Sequence, residues 1–324
     1  MDKDIYSYRI FDCMLKSSIK LQELSGFFGT PSMDTKILTF TLNDSQLSTN
    51  KNPEWFYNWY LSNGGISLSC GKTSELYYLR FPGLADFEIS TSQNTIVGYP
   101  SGDATGGIIR HLLLDQVVPR LLTHLGQPIL HASAVCRDDE ALLFLGETGH
   151  GKSTIAMALR QYGWQHLSDD CVSLKFARDR LVCTPNYAGA RLWPDSVAAL
   201  GQQGEHSEQY SASGKTRLYF HFGDRERCTE VPVKAVFFLS AHKIEHTAAG
   251  CFYTPVSGPN KFMEINRHCF PLDVMDDAET RRRFECFAKL VRGCDILFAR
   301  LHYAKDYAAL PEVCAVIQKL VSAS

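Results

Sequence analysis

The chain has 324 residues, 45% of them hydrophobic and 21% charged, with a formal net charge of −2. This is the composition of a globular protein with one large domain or two ordinary ones, and its balanced charge excludes a global field directed at nucleic acid or an anionic membrane, so neither is an expected partner. Eleven scattered cysteines with no C-x-x-C pair, no apolar run of membrane-spanning length and a start, MDKDIYSYRIFDCML, without signal-peptide character point to free thiols and a cytoplasmic location.

Residues 1–103 read as β-rich. The runs YSYRIF, KILTFTL, GISLSC, ELYYLRF and NTIVGY carry aromatic and β-branched residues, separated by Pro, Gly, Asn and Ser. A helix is expected in GGIIRHLLLDQVVPRLLTHLG, where Ile108, Leu112, Val118, Leu121, Leu122 and Leu125 fit helical spacing and Gly126 suits the end. Pro119 should kink it. PILHASAV and ALLFLG then read as strands joined by the polar turn CRDDE. STIAMALRQYG reads as a helix closed by Gly163, HLSDDCVSL as a further strand and VKAVFFLS as a buried strand. Two helices, DDAETRRRFECFAKLVRG and LPEVCAVIQKLVSA, complete the chain. The expected division is a β-rich region over 1–103 and an α/β domain over 104–324.

Three Gly-Lys-Ser/Thr triplets occur: Gly71-Lys72-Thr73, Gly151-Lys152-Ser153 and Gly214-Lys215-Thr216. A phosphate-binding loop (P-loop, Walker A) needs a further glycine five residues before the second one, a strand before it and a helix after it. The first triplet has Ile66 at the glycine position and the third has Gln209. Only GETGHGKST satisfies every requirement, with Gly146 and Gly151 correctly spaced. Its nucleotide-binding residues are then Gly146, Glu147, Thr148, Gly149, His150, Gly151, Lys152, Ser153 and Thr154. Lys152 supplies positive charge to the β and γ phosphates, and the Ser153 hydroxyl suits Mg²⁺.

The acid pair Asp169-Asp170 follows the loop helix on the next expected strand. Neighbouring carboxylates on a strand face opposite ways, so only one faces the phosphate unless the strand ends there. A carboxylate at that place either binds Mg²⁺ or accepts the proton of an attacking hydroxyl. His131 lies in the strand expected beside the loop strand and so could look into the same cleft. Lys215 and Arg217, in SGKTRLYFHF, and Arg191 are basic groups suited to the nucleotide or the transition-state phosphate, with Arg267 a weaker candidate. The run RRR at 281–283 reads as a solvated helix face.

The segments LHASAV, LLFLGETGHGKST and QHLSDDCVSL together resemble the catalytic domain of HPr kinase/phosphorylase and the wider HPr-kinase-related proteins, distant relatives of phosphoenolpyruvate carboxykinase. His131 precedes Lys152 by 21 residues, and Asp169 and Asp170 follow it by 17 and 18, the spacings of that family. The resemblance covers roughly residues 127–175. It implies an α/β fold with a mixed sheet and a P-loop, preceded here by the β-rich region. It also implies ATP and Mg²⁺ as cofactors, with Lys152 on phosphate, Ser153 and Asp170 as metal ligands, Asp170 as proton acceptor, Asp169 as its acidic neighbour and His131 as the assisting histidine. The family's second metal acid falls in NYAGARLWPDSV, where Asp195 is the only acid.

RLWPDS, GKTRLYF, NRHCF and YAKDYAALPEV resemble the HPr-kinase-related proteins rather than HPr kinase itself. Some of those relatives accompany clusters that make modified peptides, lasso peptides included, and phosphorylate a serine of the precursor. The expected activity is phosphoryl transfer from ATP-Mg²⁺ to a hydroxyl, foremost a serine of a peptide or protein. A small-molecule hydroxyl kinase and a nucleotide-binding regulatory protein with little catalysis stay open as alternatives. Residues 1–103 are read as a surface gripping a peptide by strand addition, as cover for the core, or as the interface of a homo-oligomer.

Overall fold

The computed structural model describes residues 4–24, 35–43, 45, 47, 52–61, 63–102, 104–187, 189–201, 207–209, 216–219, 230–242, 250–292 and 294–323. The chain forms two compact units, one from Met1–Gln127 with Phe270–Arg283, the other from Pro128–Cys269 with Phe284–Ser324. Together they make a mixed α/β protein whose N-terminal region is β-rich. No helix among the described residues is long and apolar enough to cross a membrane.

The first unit holds strands β1 (Tyr6–Ile10), β2 (Cys13–Ser17), β3 (Lys36–Leu42), β4 (Glu54–Tyr60), β5 (Ile66–Lys72), β6 (Tyr77–Phe81), β7 (Ala85–Ser90) and β8 (Thr95–Pro100). They form one eight-stranded sheet in the order β1-β2-β3-β8-β7-β6-β5-β4, parallel only at β2–β3 and β3–β8. Five strands fall on the runs expected from sequence. The other three lie outside those runs, although β4, EWFYNWY, carries the same aromatic signal. β2 follows a tight turn made by Phe11 at φ 50°, without a turn glycine. β4 has no buried residue, and β7 carries a buried Glu88 that accepts from Tyr99 Oη at 2.7 Å.

The expected helix appears as α1 (Gly106–Leu112) and α2 (Val118–His124), joined by a π-helical stretch, Leu113–Val117. Pro119 lies in the first turn of α2. A proline removes one amide donor and crowds the carbonyl four residues before it. The wider π turn absorbs both effects, so the proline marks a widened turn just before it.

The segment Phe270–Arg283 is bound into the first unit by buried ions. Lys72, of the first rejected triplet, pairs with the fully buried Asp273 at 2.9 Å. Glu279, 1% exposed, accepts from the amides of Leu272 and Asp273 and from His124 Nδ1 at 2.7 Å. Arg283 also turns to Glu279, at 3.5 Å. The run RRR is therefore solvated only at Arg281 and Arg282, because the third arginine faces a buried carboxylate.

The second unit is built on a nine-stranded mixed sheet of β9 (Ile129–Leu130), β10 (Ala132–Arg137), β11 (Glu140–Leu145), β12 (Gln165–Ser168), β13 (Val172–Ala177), β14 (Arg180–Pro185), β18 (Val231–His242), β19 (Phe252–Pro255) and β20 (Leu297–Ala304). β15 (Gly189–Leu192), β16 (Ser207–Gln209) and β17 (Thr216–Tyr219) make a small separate sheet. At the centre β11, β18 and β20 run parallel. Phe144 and Phe237 stack between neighbouring strands, their centroids 5.6 Å apart.

Helices α3 (Lys152–Leu159) and α7 (Leu310–Ala323) bury Ile155, Leu159, Val313 and Ile317 in the core with Phe144 and Phe237. A second core joins Leu143 and Phe238 to Ile265 of α5 (Pro259–Arg267) and Phe287 of α6 (Asp277–Arg292). Helix α4 (Pro194–Leu200) starts at a proline and ends at Gly201 in the left-handed conformation, φ 58°.

Replacing Glu279 by Ala removes the acceptor of two buried amides, the His124 ring and the Arg283 guanidinium. Breaking such a buried ion network costs about 3–5 kcal/mol. Glu279→Ala should lower the unfolding midpoint by several degrees, read by circular dichroism. An unchanged midpoint would rule out the network as the anchor of Phe270–Arg283.

Candidate functional site

Strand β11 ends at Leu145 and α3 begins at Lys152, so Gly146–Gly151 form the loop between them. Gly149 and Gly151 both have φ 84°, a conformation open to glycine and strained for other residues. A β-carbon on Gly151 would also stand 3.2 Å from Tyr303 Oη. The Tyr303 hydroxyl donates to the His150 carbonyl, and His150 Nδ1 lies 3.2 Å from the Leu239 carbonyl. The loop is thus fixed to β18 and β20. Glu147, Thr148 and Gly149 are exposed, and Ser153 and Thr154 are half-buried in the first turn of α3. Lys152 is 6% exposed, its ammonium 2.8 Å from the Gly146 carbonyl and 3.4 Å from that of Glu147.

The acid pair does not lie within a strand. HLSDDCVSL is divided into β12 and β13, and Asp169-Asp170 occupy the break, Asp170 at φ 64°. Aspartate tolerates this left-handed conformation better than most residues. The Cys171 amide donates to the Asp169 carbonyl at 2.8 Å, and Ser168 Oγ donates to the Cys171 carbonyl at 2.8 Å, which closes the turn. Because the strand stops there, the alternation that would send the two carboxylates to opposite faces no longer applies.

Asp169 Oδ1 accepts from Ser153 Oγ at 2.8 Å and from Ser133 Oγ, and its Oδ2 accepts from the Arg191 amide at 3.0 Å. Asp170 Oδ2 accepts from Arg191 Nε at 2.8 Å, and its Oδ1 lies 3.5 Å from His131 Nε2. His131 interrupts the expected strand PILHASAV: β9 ends before it and pairs with β13, while β10 starts after it and pairs with β11 and β12. Its own amide donates to the His268 carbonyl at 2.7 Å.

Burial, followed by repulsion from Asp170, raises the Asp169 pKa, and the bonds from Ser133, Arg191 and Ser153 oppose that rise. Burial and the charge of Lys152 lower His131, against the pull of both acids. Burial first, then the neighbouring His131 ring and the charge of Lys152, push His268 down to about 3. His131 and His268 are thereby favoured as neutral imidazoles, hydrogen-bonding groups rather than cations.

His131, Lys152, Ser153, Asp169, Asp170 and Arg191 therefore converge. Ser153 is bonded to Asp169, whereas Asp170 turns to Arg191 and His131. Arg217 is fully buried, stands opposite Arg191 in the β15–β17 register and lies over the Tyr187 ring at 5.2 Å. Asp195 is exposed at the start of α4, accepting from the Ser196 amide at 2.8 Å beside Tyr307. Arg267 pairs with Glu264 at 2.9 Å. Lys215 lies outside the described residues.

Ser133, His268 and Tyr303 were not anticipated from sequence. Ser133 was readable in principle, since residues two apart on a strand share a face and it follows His131 by two. His268 and Tyr303 arrive through pairings with distant segments that no local pattern announces.

No protein-family model matches the chain, and no curated protein sequence is found similar to it. Among solved structures it is similar to the HPr(Ser) kinase/phosphatase from Coxiella burnetii, with 14% identity over 59% of this chain and 94% of that one and a TM-score of 0.30.

His166 on β12 gives this region a pH dependence. Buried, with Nε2 3.2 Å from the Gly189 carbonyl, it is pushed down to about 3 from 6.5 by burial and the charge of Arg160. Above pH 6.5 it is neutral in both folded and unfolded chains. As pH falls below 6.5 the unfolded chain takes up the proton first, so stability is lost by about 1.4 kcal/mol per pH unit for this group. Urea midpoints measured between about pH 5 and 7.5 should fall with acidification in the wild type and less steeply in His166→Gln. Parallel profiles would contradict the assignment.

Proposed function

We propose that the chain is an ATP- and Mg²⁺-dependent kinase that transfers the γ-phosphoryl group to a hydroxyl, foremost a serine of a peptide or protein. The observation that carries this reading is the junction at the start of α3. There Ser153 is bonded to Asp169 at 2.8 Å, while the neighbouring Asp170 is oriented by Arg191 and His131. A loop with glycines at positive φ that ends in a helix start suits phosphate through its amides and helix dipole.

The oxygens of Ser153 and Asp169 are hard donors, and Mg²⁺ is commonly held by one or two carboxylates together with substrate phosphates. When bound it would supply charge neutralisation on the phosphates. Asp195 has its own neighbours at α4, so Asp169 is the better-supported metal carboxylate. Lys152 would bind the β and γ phosphates. Asp170 would accept the proton of the attacking hydroxyl as its oxygen bonds to phosphorus and the β–γ bridge breaks, leaving ADP. Arg191 would hold Asp170 in place and, with Arg217 behind it, add positive charge where negative charge builds up. His131, favoured as neutral, would align Asp170 by hydrogen bonding without competing for the proton.

Incubation with ATP-Mg²⁺ should label serine-containing peptides from the chain's genomic neighbourhood. Label confined to free hydroxylated metabolites would move the acceptor to small molecules, and ATP binding without any product would leave a regulatory module. Asp170→Asn keeps a residue tolerant of positive φ, so it should bind ATP as before while kcat drops by about 10²–10⁴-fold. Full-rate transfer by that variant would remove Asp170 as the base.

A further inference from the structure

We infer that Lys305 is a second cationic residue of the phosphate site, contacting the bound nucleotide's phosphates from across the sheet. This rests on the reading of Gly146–Gly151 as a nucleotide loop. Its own support is the position of the Lys305 ammonium, which lies 3.7 Å from the place a β-carbon on Gly149 would take. Gly149 is at the exposed crest of that loop. Lys305 stands 156 residues after Gly149, outside the loop motif and within the segment YAKDYAALPEV.

The fold explains the juxtaposition. β11, β18 and β20 are parallel neighbours, so their carboxyl ends emerge on one side. In open α/β sheets ligands bind outside those ends. β11 leads there into the loop, and β20 ends at Ala304, directly before Lys305.

The position is built rather than loose. Two residues earlier, Tyr303 is bonded to the loop through the His150 carbonyl. One residue later, the Asp306 amide donates to the Ala304 carbonyl at 2.8 Å, and the Asp306 carboxylate accepts from the Ala308 amide at 3.0 Å, capping the turn before α7. The acid beside Lys305 is thereby committed to backbone. Among the described residues no hydrogen bond or ion pair engages the Lys305 ammonium, and it is exposed. Lys152 is buried against loop carbonyls, whereas Lys305 presents its charge to solvent beside the crest, where a polyanion would meet it.

The test compares wild type, Lys305→Ala, Lys305→Arg and, as a control, the exposed Lys319→Ala of α7, all as full chains. Calorimetry would measure binding of ATP-Mg²⁺ and ADP-Mg²⁺, and steady-state assays would separate KM from kcat. A charge-assisted contact predicts about tenfold weaker binding in Lys305→Ala, with KM for ATP raised in step and kcat little changed. Lys305→Arg should restore most of the affinity, and Lys319→Ala should bind like wild type. Equal affinities in wild type and Lys305→Ala would overturn the inference and leave the nucleotide reading intact. A wild-type chain that binds neither nucleotide would overturn both. Thermal midpoints without nucleotide should coincide in all four chains, because among the described residues no hydrogen bond or ion pair engages Lys305.

Discussion

The buried carboxylate of Asp169 is the constraint around which the site is organised. It collects Ser133 from β10, Ser153 from α3 and the Arg191 amide from β15, so three segments far apart in sequence are tied to one pair of oxygens. Taking an ionised carboxylate out of water is expensive unless its lone pairs are occupied. The cost is met by donors whose positions are themselves fixed by strand pairing or helix geometry. The arrangement is thus specified in both directions: the donors hold the acid, and the acid dictates where the loop helix and β15 must lie. Asp170 inherits this order, because the turn that delivers Asp169 inward also directs its neighbour to Arg191 and His131.

Local chemistry was readable in the sequence where it depends on spacing. GETGHGKST announced a strand, a turn with glycine freedom and a helix, and all three are present in the chain's geometry. His131 and the acid pair were readable as members of the same constellation because they occur on adjacent segments. The break between β12 and β13 was legible only as an alternative, since an Asp-Asp pair suits a strand-end turn as well as a strand and Asp170 takes φ 64° without a glycine. Arg191 was one candidate among several basic residues, level with Lys215 and Arg217 and ahead of Arg267, which is engaged by Glu264. Parallel pairing across long connections places β20 beside β18, and such contacts leave no trace in periodicity.

The rejected triplet at Gly71-Lys72-Thr73 is equally instructive. Its lysine sits at the end of β5 and neutralises the fully buried Asp273. The same three residue types that begin a helix after a glycine turn serve here as strand and ion partner, because the surrounding backbone is extended. In the first unit, buried charge is used to hold a distant segment of chain. In the second it is used to hold neighbouring side chains in fixed orientations. The physics of satisfied carboxylates is shared, and only the exposure of what lies next to them differs.

His131 stands where one continuous stretch of chain changes neighbours, from β13 before it to β11 and β12 after it, with His268 as its own backbone partner. Side chains on a strand alternate faces, so inserting or deleting one residue beside this junction would turn Ser133 away from Asp169 and present Ala132 or Ala134 in its stead. Substitution in the stretch can be absorbed one side chain at a time, but a change of length cannot. Residues 129–134 therefore act as a ruler, and descendants of this chain are free to vary its letters far more than its count.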